Sequence, residues 1–125
     1  MSVQLNIRQA EDVSIVDASG RITHGEGAGA LRNVLRGLAS GGQKKILLNL
    51  GGVTYIDSSG LGVLVSSFAT ETNKGGQLKL LNLTSRVRDL LTITKLLTVF
   101  EVFDDETAAT RSFVEEVAGA PGARV

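Results

Sequence analysis

The sequence predicts an α/β fold in which about five strands form one mixed central sheet and about four helices cover it. Three observations support this prediction. The chain opens with two segments of alternating apolar and polar residues, continues with helix-like and strand-like patterns in turn, and carries a nearly continuous apolar run near its middle. Strands joined by helical crossovers are parallel and strands joined by a hairpin are antiparallel, so we expect a sheet of both kinds.

The two opening segments are predicted to form a strand pair. Apolar residues occupy Val3, Leu5 and Ile7, and then Val13 and Ile15, with polar residues between them. This period of two is typical of strands with one buried face. We therefore expect the first two strands to pair as an antiparallel hairpin.

The first helix is predicted from Gly25 to Ala39. Its apolar residues recur at helical spacing, at Ala28, Leu31, Val34, Leu35 and Leu38. The run Ser40-Gly41-Gly42 that follows is suited to the end of a helix, because glycine adopts the backbone conformations found there.

The segment from Lys44 to Leu50 is predicted to be the central strand. Its apolar residues run almost without interruption, at Ile46, Leu47, Leu48 and Leu50. Such a run is expected for a strand covered on both faces, so an aspartate at position 48 should unfold the domain. A connector containing Val53, Tyr55 and Ile56 follows this strand.

The second half of the chain repeats the alternation of helix and strand. A helical stripe of Leu61, Leu64, Val65 and Phe68 predicts a helix that ends at Gly75-Gly76. The remaining elements are predicted as strand, helix, strand and helix, at Gln77–Leu83, Ser85–Leu96, Val99–Phe103 and Asp105–Val117. The resulting single domain spans residues 1–117, and residues 118–125 are expected to be a flexible tail.

Composition excludes several classes of function. The 125 residues include 13 basic and 13 acidic side chains, so no net charge draws the chain to nucleic acid or to an anionic membrane. There is no cysteine and only one histidine, His24, which excludes disulfides, thiolate nucleophiles and metal sites built from Cys or His. The first residues lack the pattern of a signal peptide, and no stretch of about 18 residues, the length that spans a membrane, is continuously apolar. We expect a soluble cytoplasmic protein without a cofactor or metal.

The most informative segment is Ile56-Asp57-Ser58-Ser59-Gly60-Leu61-Gly62, which lies where the connector enters the second helix. Binding sites in open α/β sheets gather at the carboxyl ends of strands. The simplest interpretation is a helix cap, since Asp57, Ser58 or Ser59 could each accept a bond from a free backbone N–H. One cap is sufficient, however, and each glycine in the first helical turns costs about 1 kcal/mol relative to alanine.

Gly60 and Gly62 are therefore predicted to serve a purpose other than helix stability. They would permit either the close approach of a partner or tight packing of the helix start on the sheet. On this hypothesis alanine at either position should raise stability by about 0.4 to 1 kcal/mol. If the partner role is correct, this gain should accompany weaker binding.

Three chemical roles can be considered for the serines. A nucleophile elbow needs glycine two residues before and after the serine, and neither Ser58 nor Ser59 has both. The spacing of a phosphate-binding loop is absent here and from the glycines between Gly25 and Gly29. The third role is that of a phosphorylation switch, in which a group carrying a charge of about −1.5 to −2 appears on a docking surface.

The motif Asp57-Ser58-Ser59-Gly60-Leu61-Gly62, preceded by Leu48-Asn49-Leu50 and Val53, resembles the signature of STAS domains of the anti-sigma factor antagonist type. The resemblance includes the order of elements, the Ser19-Gly20-Arg21-Ile22 turn, and Ser85, Val87 and Leu91 at the start of the third helix. It implies a binding protein without catalytic activity. The unphosphorylated form would capture an anti-sigma factor that is also a serine kinase, and so free the sigma factor.

The resemblance also implies the residues of the site. The kinase would phosphorylate Ser58, and a phosphoserine phosphatase would reverse the reaction. The partner would be bound by Asp57, Ser58, Ser59, Gly60, Leu61, Gly62, Thr23 and His24. Direct contact with nucleic acid or membrane is not expected, and the protein would be a monomer or a weak dimer.

One position departs from the family pattern. These antagonists usually carry an aspartate in the turn after the second strand, where this chain has Thr23 beside His24. His24 itself is interpreted as a solvated loop residue. The alternative function, which would share the fold, is a STAS interaction or nucleotide-sensing subunit of a transporter or a stressosome-like complex, without regulation by an anti-sigma kinase.

Overall fold

A computed structural model describes residues 3–113 of the chain. The strands are β1 (Val3–Ala10), β2 (Val13–Ile22), β3 (Lys45–Ile56), β4 (Gln77–Leu81) and β5 (Val102–Phe103). The helices are α1 (Glu26–Ser40), α2 (Ser58–Asn73), α3 (Ser85–Ile93) and α4, whose described part covers residues 106–113, and a short 3₁₀ helix spans Leu97–Val99. The α/β fold with five strands and four helices is as the sequence predicts. Within residues 3–113, no helix combines the length and apolar character needed to span a bilayer.

The five strands form one mixed sheet in the order β1-β2-β3-β4-β5. The strands β1 and β2 pair antiparallel, whereas the other three pairs are parallel. This arrangement confirms the predicted hairpin and the predicted central position of β3. The register of β2 and β3 brings Ile22 and Ile56 side by side at the last position of each strand.

Two apolar cores lie on opposite faces of the sheet. Ile46, Leu48 and Leu50 of β3 face the larger core, which also contains side chains of α1, α2 and α3. Leu47 faces the smaller core, which contains Phe113 of α4. Leu47 and Leu48 lie on opposite faces of β3 and neither has exposed surface, which confirms that β3 is covered on both sides.

The predicted connector after the central strand is wrong, because β3 continues through residues 51–56. The glycine pair Gly51-Gly52 suggests a break, but a Cβ on Gly52 would lie only 2.7 Å from the Cβ of Ser19 in β2. The absent side chain therefore permits close contact between neighbouring strands. Asp57 directly follows the last residue of β3.

The last third of the chain has shorter elements than predicted. The helix α3 ends at Ile93 rather than Leu96, and Lys95 adopts a positive φ of 65° just beyond it. The predicted strand at Val99–Phe103 is reduced to β5, because residues 97–99 form the 3₁₀ helix. The predicted strand to Leu83 ends at Leu81. The predicted end of the last helix and the tail at 118–125 lie outside the described residues.

Candidate functional site

The candidate site lies at the carboxyl ends of β2 and β3. Because these strands are parallel and end in register, the loop at residues 23–25 and the start of α2 emerge beside each other. The Asp57 N–H donates to the carbonyl of Ile22 at 3.3 Å, which continues the pairing one residue past the strands. The amino ends of α1 and α2 therefore begin at the same edge of the sheet.

Asp57 is the N-cap of α2 and also holds the neighbouring loop. One carboxylate oxygen accepts a hydrogen bond from the N–H of Gly60 at 3.0 Å. The other accepts a hydrogen bond from the N–H of His24 at 2.9 Å. These bonds lower the pKa of Asp57 below its usual value, with the His24 bond as the largest cause, so the side chain is an anion at neutral pH.

The two serines are not needed for capping, since Asp57 performs it. Ser58 is the first residue of α2 and is exposed, and its hydroxyl has no hydrogen-bond partner within residues 3–113. The Ser59 hydroxyl lies 3.4 Å from Nδ1 of His24 and is partly buried. Of the two hydroxyls, that of Ser58 is the more accessible to another protein.

The pair of Ser59 and His24 lacks the features of an activated nucleophile. Their separation of 3.4 Å is long for a catalytic hydrogen bond. The Asp57 carboxylate binds the main chain of His24, so it does not orient the imidazole ring. The described part of the chain also holds no cluster of three or more His, Cys, Asp or Glu side chains suited to a metal ion.

The loop between β2 and α1 is held by its main chain. Thr23 accepts a hydrogen bond from Ala28 through its carbonyl at 2.8 Å. Gly25 precedes the helix with a φ of 91°, a conformation that residues with side chains rarely adopt. His24 is exposed and Thr23 is partly exposed, so both predicted loop residues lie beside the start of α2.

The remaining residues of the motif differ in how deeply they are buried. Gly60 is buried, and a Cβ there would lie 2.5 Å from both the carbonyl oxygen of Ile22 and Cγ1 of Ile56. Leu61 is 7% exposed and belongs to the larger core. Gly62 is exposed, with nothing within 4 Å of its Cβ position.

These contacts decide between the two roles considered for the glycines. Gly60 allows tight packing of α2 on the sheet, and the expectation that alanine at position 60 would stabilise the protein is wrong. Gly62 leaves an open spot on the exposed side of α2, where a side chain would meet no neighbour. Gly60 and Leu61 thus shape the site by positioning α2, whereas Ser58 and Gly62 present exposed atoms.

The sequence reasoning missed a cluster next to these residues. The ring of Tyr55 lies under the guanidinium carbon of Arg21, 4.8 Å from the ring centroid, and that of Arg86 is 5.5 Å away. One signal for this cluster was present in the sequence. Arg21 lies two residues before Thr23, and Tyr55 lies two residues before Asp57, so each lies close to a predicted site residue.

Comparison with known proteins finds matches over most of the chain. The family model described as STAS domain matches residues 4–109. The anti-sigma-B factor antagonist of Bacillus subtilis is 35% identical over 102 residues, which cover 82% of this chain and 92% of the relative.

Two solved structures share the fold. The Thermotoga maritima protein TM1081 superposes with a TM-score of 0.81 at 25% identity, covering 87% of this chain and 93% of the other. The Bacillus cell fate determinant SpoIIAA in its phosphorylated form superposes with a TM-score of 0.70 at 17% identity, covering 87% of this chain and 98% of the other.

Proposed function

This chain belongs to the STAS domain family, and from that premise we propose that it acts as an anti-sigma factor antagonist. In its unphosphorylated form it binds an anti-sigma factor that is also a serine kinase, and the sigma factor is released. The binding surface is the edge formed by Thr23, His24, Asp57, Ser58 and Ser59, together with the exposed position of Gly62 on α2.

The observation that carries this proposal is the position of Ser58. Ser58 is exposed as the first residue of α2, while Asp57 caps the helix by accepting a hydrogen bond from the N–H of Gly60. A phosphate at a helix amino end is well tolerated by the fold, because the helix dipole favours negative charge there. Phosphorylation of Ser58 therefore changes the surface without requiring the domain to unfold.

Phosphorylation acts as an off switch through charge. The kinase binds ATP and Mg²⁺ and transfers the γ-phosphoryl group to Oγ of Ser58, releasing ADP, while the serine proton passes to the kinase's base. The new group carries about −1.5 to −2 charges and lies next to the ionised Asp57. Against a partner surface, a disrupted charge contact of about 2 to 5 kcal/mol weakens binding roughly 30-fold to several-thousand-fold. A phosphoserine phosphatase restores the binding form.

The test begins with capture of the partner by the tagged protein from a lysate of its source organism. The captured kinase and ATP are then incubated with the wild type, Ser58→Ala and the matched variant Ser59→Ala, and the phosphorylated peptide is identified by mass spectrometry. We expect phosphate on Ser58 in the wild type and in Ser59→Ala, and none in Ser58→Ala. Phosphate on Ser59 alone, or on neither serine, would refute the switch.

Binding measurements with the same kinase complete the test. Ser58→Ala should bind the kinase as the wild type does, whereas Ser58→Asp should fold normally and bind at least about 30-fold more weakly. The threonine at position 23 favours one alternative, an interaction subunit of a transporter or stressosome-like complex. Capture of a membrane complex, with no kinase bound, would support that alternative instead.

A further inference from the structure

Three elements bring two positive charges to one aromatic ring beside the candidate site. Arg21 lies near the end of β2, and Tyr55 is its register partner on β3. Arg86 is the second residue of α3, and the start of that helix is held by Thr84, whose hydroxyl donates to the carbonyl of Val53 at 3.1 Å. The guanidinium carbons of Arg21 and Arg86 lie 4.8 Å and 5.5 Å from the Tyr55 ring centroid.

Both arginines retain their hydrogen-bonding capacity. Neither guanidinium has an ion pair or a hydrogen-bond partner within residues 3–113. Arg8, in contrast, binds both Asp17 and Glu106. A guanidinium on an aromatic face gains cation–π attraction while its five N–H donors remain at its edge. The ring therefore orients two sets of unused donors at the surface.

The free N–H donors of the two guanidinium groups are suited to binding an anion. The planar fork of arginine matches a carboxylate or a phosphate and binds it through two parallel hydrogen bonds. Nucleic-acid binding relies on neutralising many phosphates along a backbone, whereas only two guanidinium groups meet at this ring and the whole chain has no net charge. The side-chain carboxylates of a protein segment fit this small cluster better.

The cluster and the candidate site lie on the same two strand ends. Arg21 precedes Thr23 by two residues and Tyr55 precedes Asp57 by two residues, a distance of about 6 to 7 Å along a strand. A protein that covers Ser58 would therefore reach the cluster without a long extension.

We propose that Arg21, Tyr55 and Arg86 form an anion-recognition patch that binds an acidic segment of the partner protein. The identity of that partner rests on the proposed function, but the preference for carboxylates rests on the patch itself. The tyrosine is a positioning residue, because its ring contacts both exposed guanidinium groups and holds them near each other at the surface. Electrostatic attraction by the patch raises the association rate and orients the partner, whereas the phosphorylation state of Ser58 sets how long the complex lasts.

The first experiment tests the patch without any natural partner. A hexaglutamate peptide is titrated into the isotope-labelled protein, and the arginine Nε–Hε signals and the Tyr55 ring signals are followed by NMR. A glycine–serine peptide of equal length is the neutral control. We expect signals of Arg21, Arg86 and Tyr55 to shift with the glutamate peptide only, and the shifts to vanish at high salt. Equal shifts of Arg88, or no shift at the patch, would overturn the proposal.

Charge-reversal variants extend this test. Arg21→Glu and Arg86→Glu should each weaken hexaglutamate binding by at least about fivefold. The matched control is Arg88→Glu, which makes the same change at an exposed position of α3 that does not contact the ring. Tyr55→Phe should retain binding, because the ring remains. Circular dichroism and melting temperature establish that each variant is folded, and an effect of Arg88→Glu as large as that of Arg86→Glu would contradict the patch.

The second experiment uses the anti-sigma kinase captured as described above. Arg21→Glu or Arg86→Glu should lower its association rate and the salt dependence of that rate, whereas Arg88→Glu should leave both near wild type. Failure to capture any anti-sigma kinase would refute the proposed function and leave the peptide result standing. Unchanged kinase binding in both patch variants would refute the role of the patch in this partnership and leave the phosphorylation test unaffected.

Discussion

The carboxylate of Asp57 lies 2.9 Å from the main-chain nitrogen of His24, and this hydrogen bond joins the loop after β2 to the start of α2. The same carboxylate caps α2 through the N–H of Gly60. Two separate segments of the proposed recognition surface are thus held in place by one side chain. If a partner binds these segments as proposed, their fixed positions reduce the entropy lost on binding.

The first prediction concerns the removal of this carboxylate. Asp57→Ala leaves two N–H groups without their acceptor and should lower the free energy of unfolding by about 1 to 3 kcal/mol. Asp57→Asn keeps one acceptor oxygen and should lose less. Urea unfolding measures both variants, and Asp89→Asn, at an exposed position of α3, is the control. An Asp57→Ala variant as stable as the control would contradict the bridging role.

The pH dependence of this contribution has a definite sign. The pKa of Asp57 is lower in the folded state than in the unfolded chain, where it is about 3.9. The stabilisation by its ionised form is therefore complete above the unfolded value and is lost as pH falls through the folded value. The difference in unfolding free energy between wild type and Asp57→Asn should be constant near neutral pH and shrink in acid. A difference that grows in acid would contradict it.

The second prediction separates the two glycines of the motif. Gly60→Ala places a Cβ 2.5 Å from the carbonyl oxygen of Ile22, which cannot rotate away, and should cost about 1 to 3 kcal/mol. Gly62→Ala meets nothing within 4 Å and should gain about 0.4 to 1 kcal/mol. Thermal unfolding of the two variants checks the opposite signs. Weaker partner binding by the more stable Gly62→Ala would show that the open spot on α2 is part of the interface, and unchanged affinity would exclude it.

The third prediction concerns the central strand. Leu48 is fully buried in the larger core, so Leu48→Ala should cost about 2 to 5 kcal/mol through the cavity it leaves. Leu48→Asp adds an unpaired buried charge and should unfold the domain. Leu48→Met preserves volume and should cost less than about 1.5 kcal/mol. Native circular dichroism and melting temperature for Leu48→Asp would show that β3 is not the central buried strand.

The fourth prediction concerns a buried carboxyl group on α2. Glu71 is 2% exposed, and its Oε2 has no hydrogen-bond partner in the described part of the chain. Burial raises the pKa of Glu71, and the positive charges of Lys44 and Lys74 offset this effect only in part. The folded state therefore favours the protonated form, and its stability falls as pH rises from the unfolded pKa, about 4.3, through the higher folded value.

A neutral side chain at this position should remove that penalty. Glu71→Gln should be more stable than the wild type by about 1 kcal/mol at alkaline pH, and this advantage should disappear below about pH 4. Urea unfolding across pH measures it, with Glu11→Gln, in the exposed turn between β1 and β2, as the control. A variant less stable than the wild type at alkaline pH would show that the lysines stabilise the ionised carboxylate more than burial destabilises it.

Some features of the fold could be predicted because they depend on local pattern. The apolar run around Leu48 indicates a strand buried on both faces, and the stripe around Leu61 indicates a helix, without reference to the rest of the chain. The continuation of β3 past Gly52 could not be predicted, because a glycine that marks a turn and a glycine that admits a neighbouring strand look alike in sequence. Only the position of Ser19 on β2 distinguishes them.

The same distinction applies to the site. Asp57, Ser58 and their neighbours are contiguous, and the sequence by itself determined that they begin a helix at a strand end and resemble a STAS motif. It also determined the absence of thiol chemistry. The tertiary structure alone decided which motif residue caps the helix, which glycine faces the core, and that His24 and Asp57 meet. It likewise brought Arg21 and Arg86 to one ring from positions 65 residues apart in the chain (86 minus 21). The physical reason is that hydrogen bonds and ring contacts depend on distances across the sheet, and those distances are set by strand register, which the residues of a single segment do not specify.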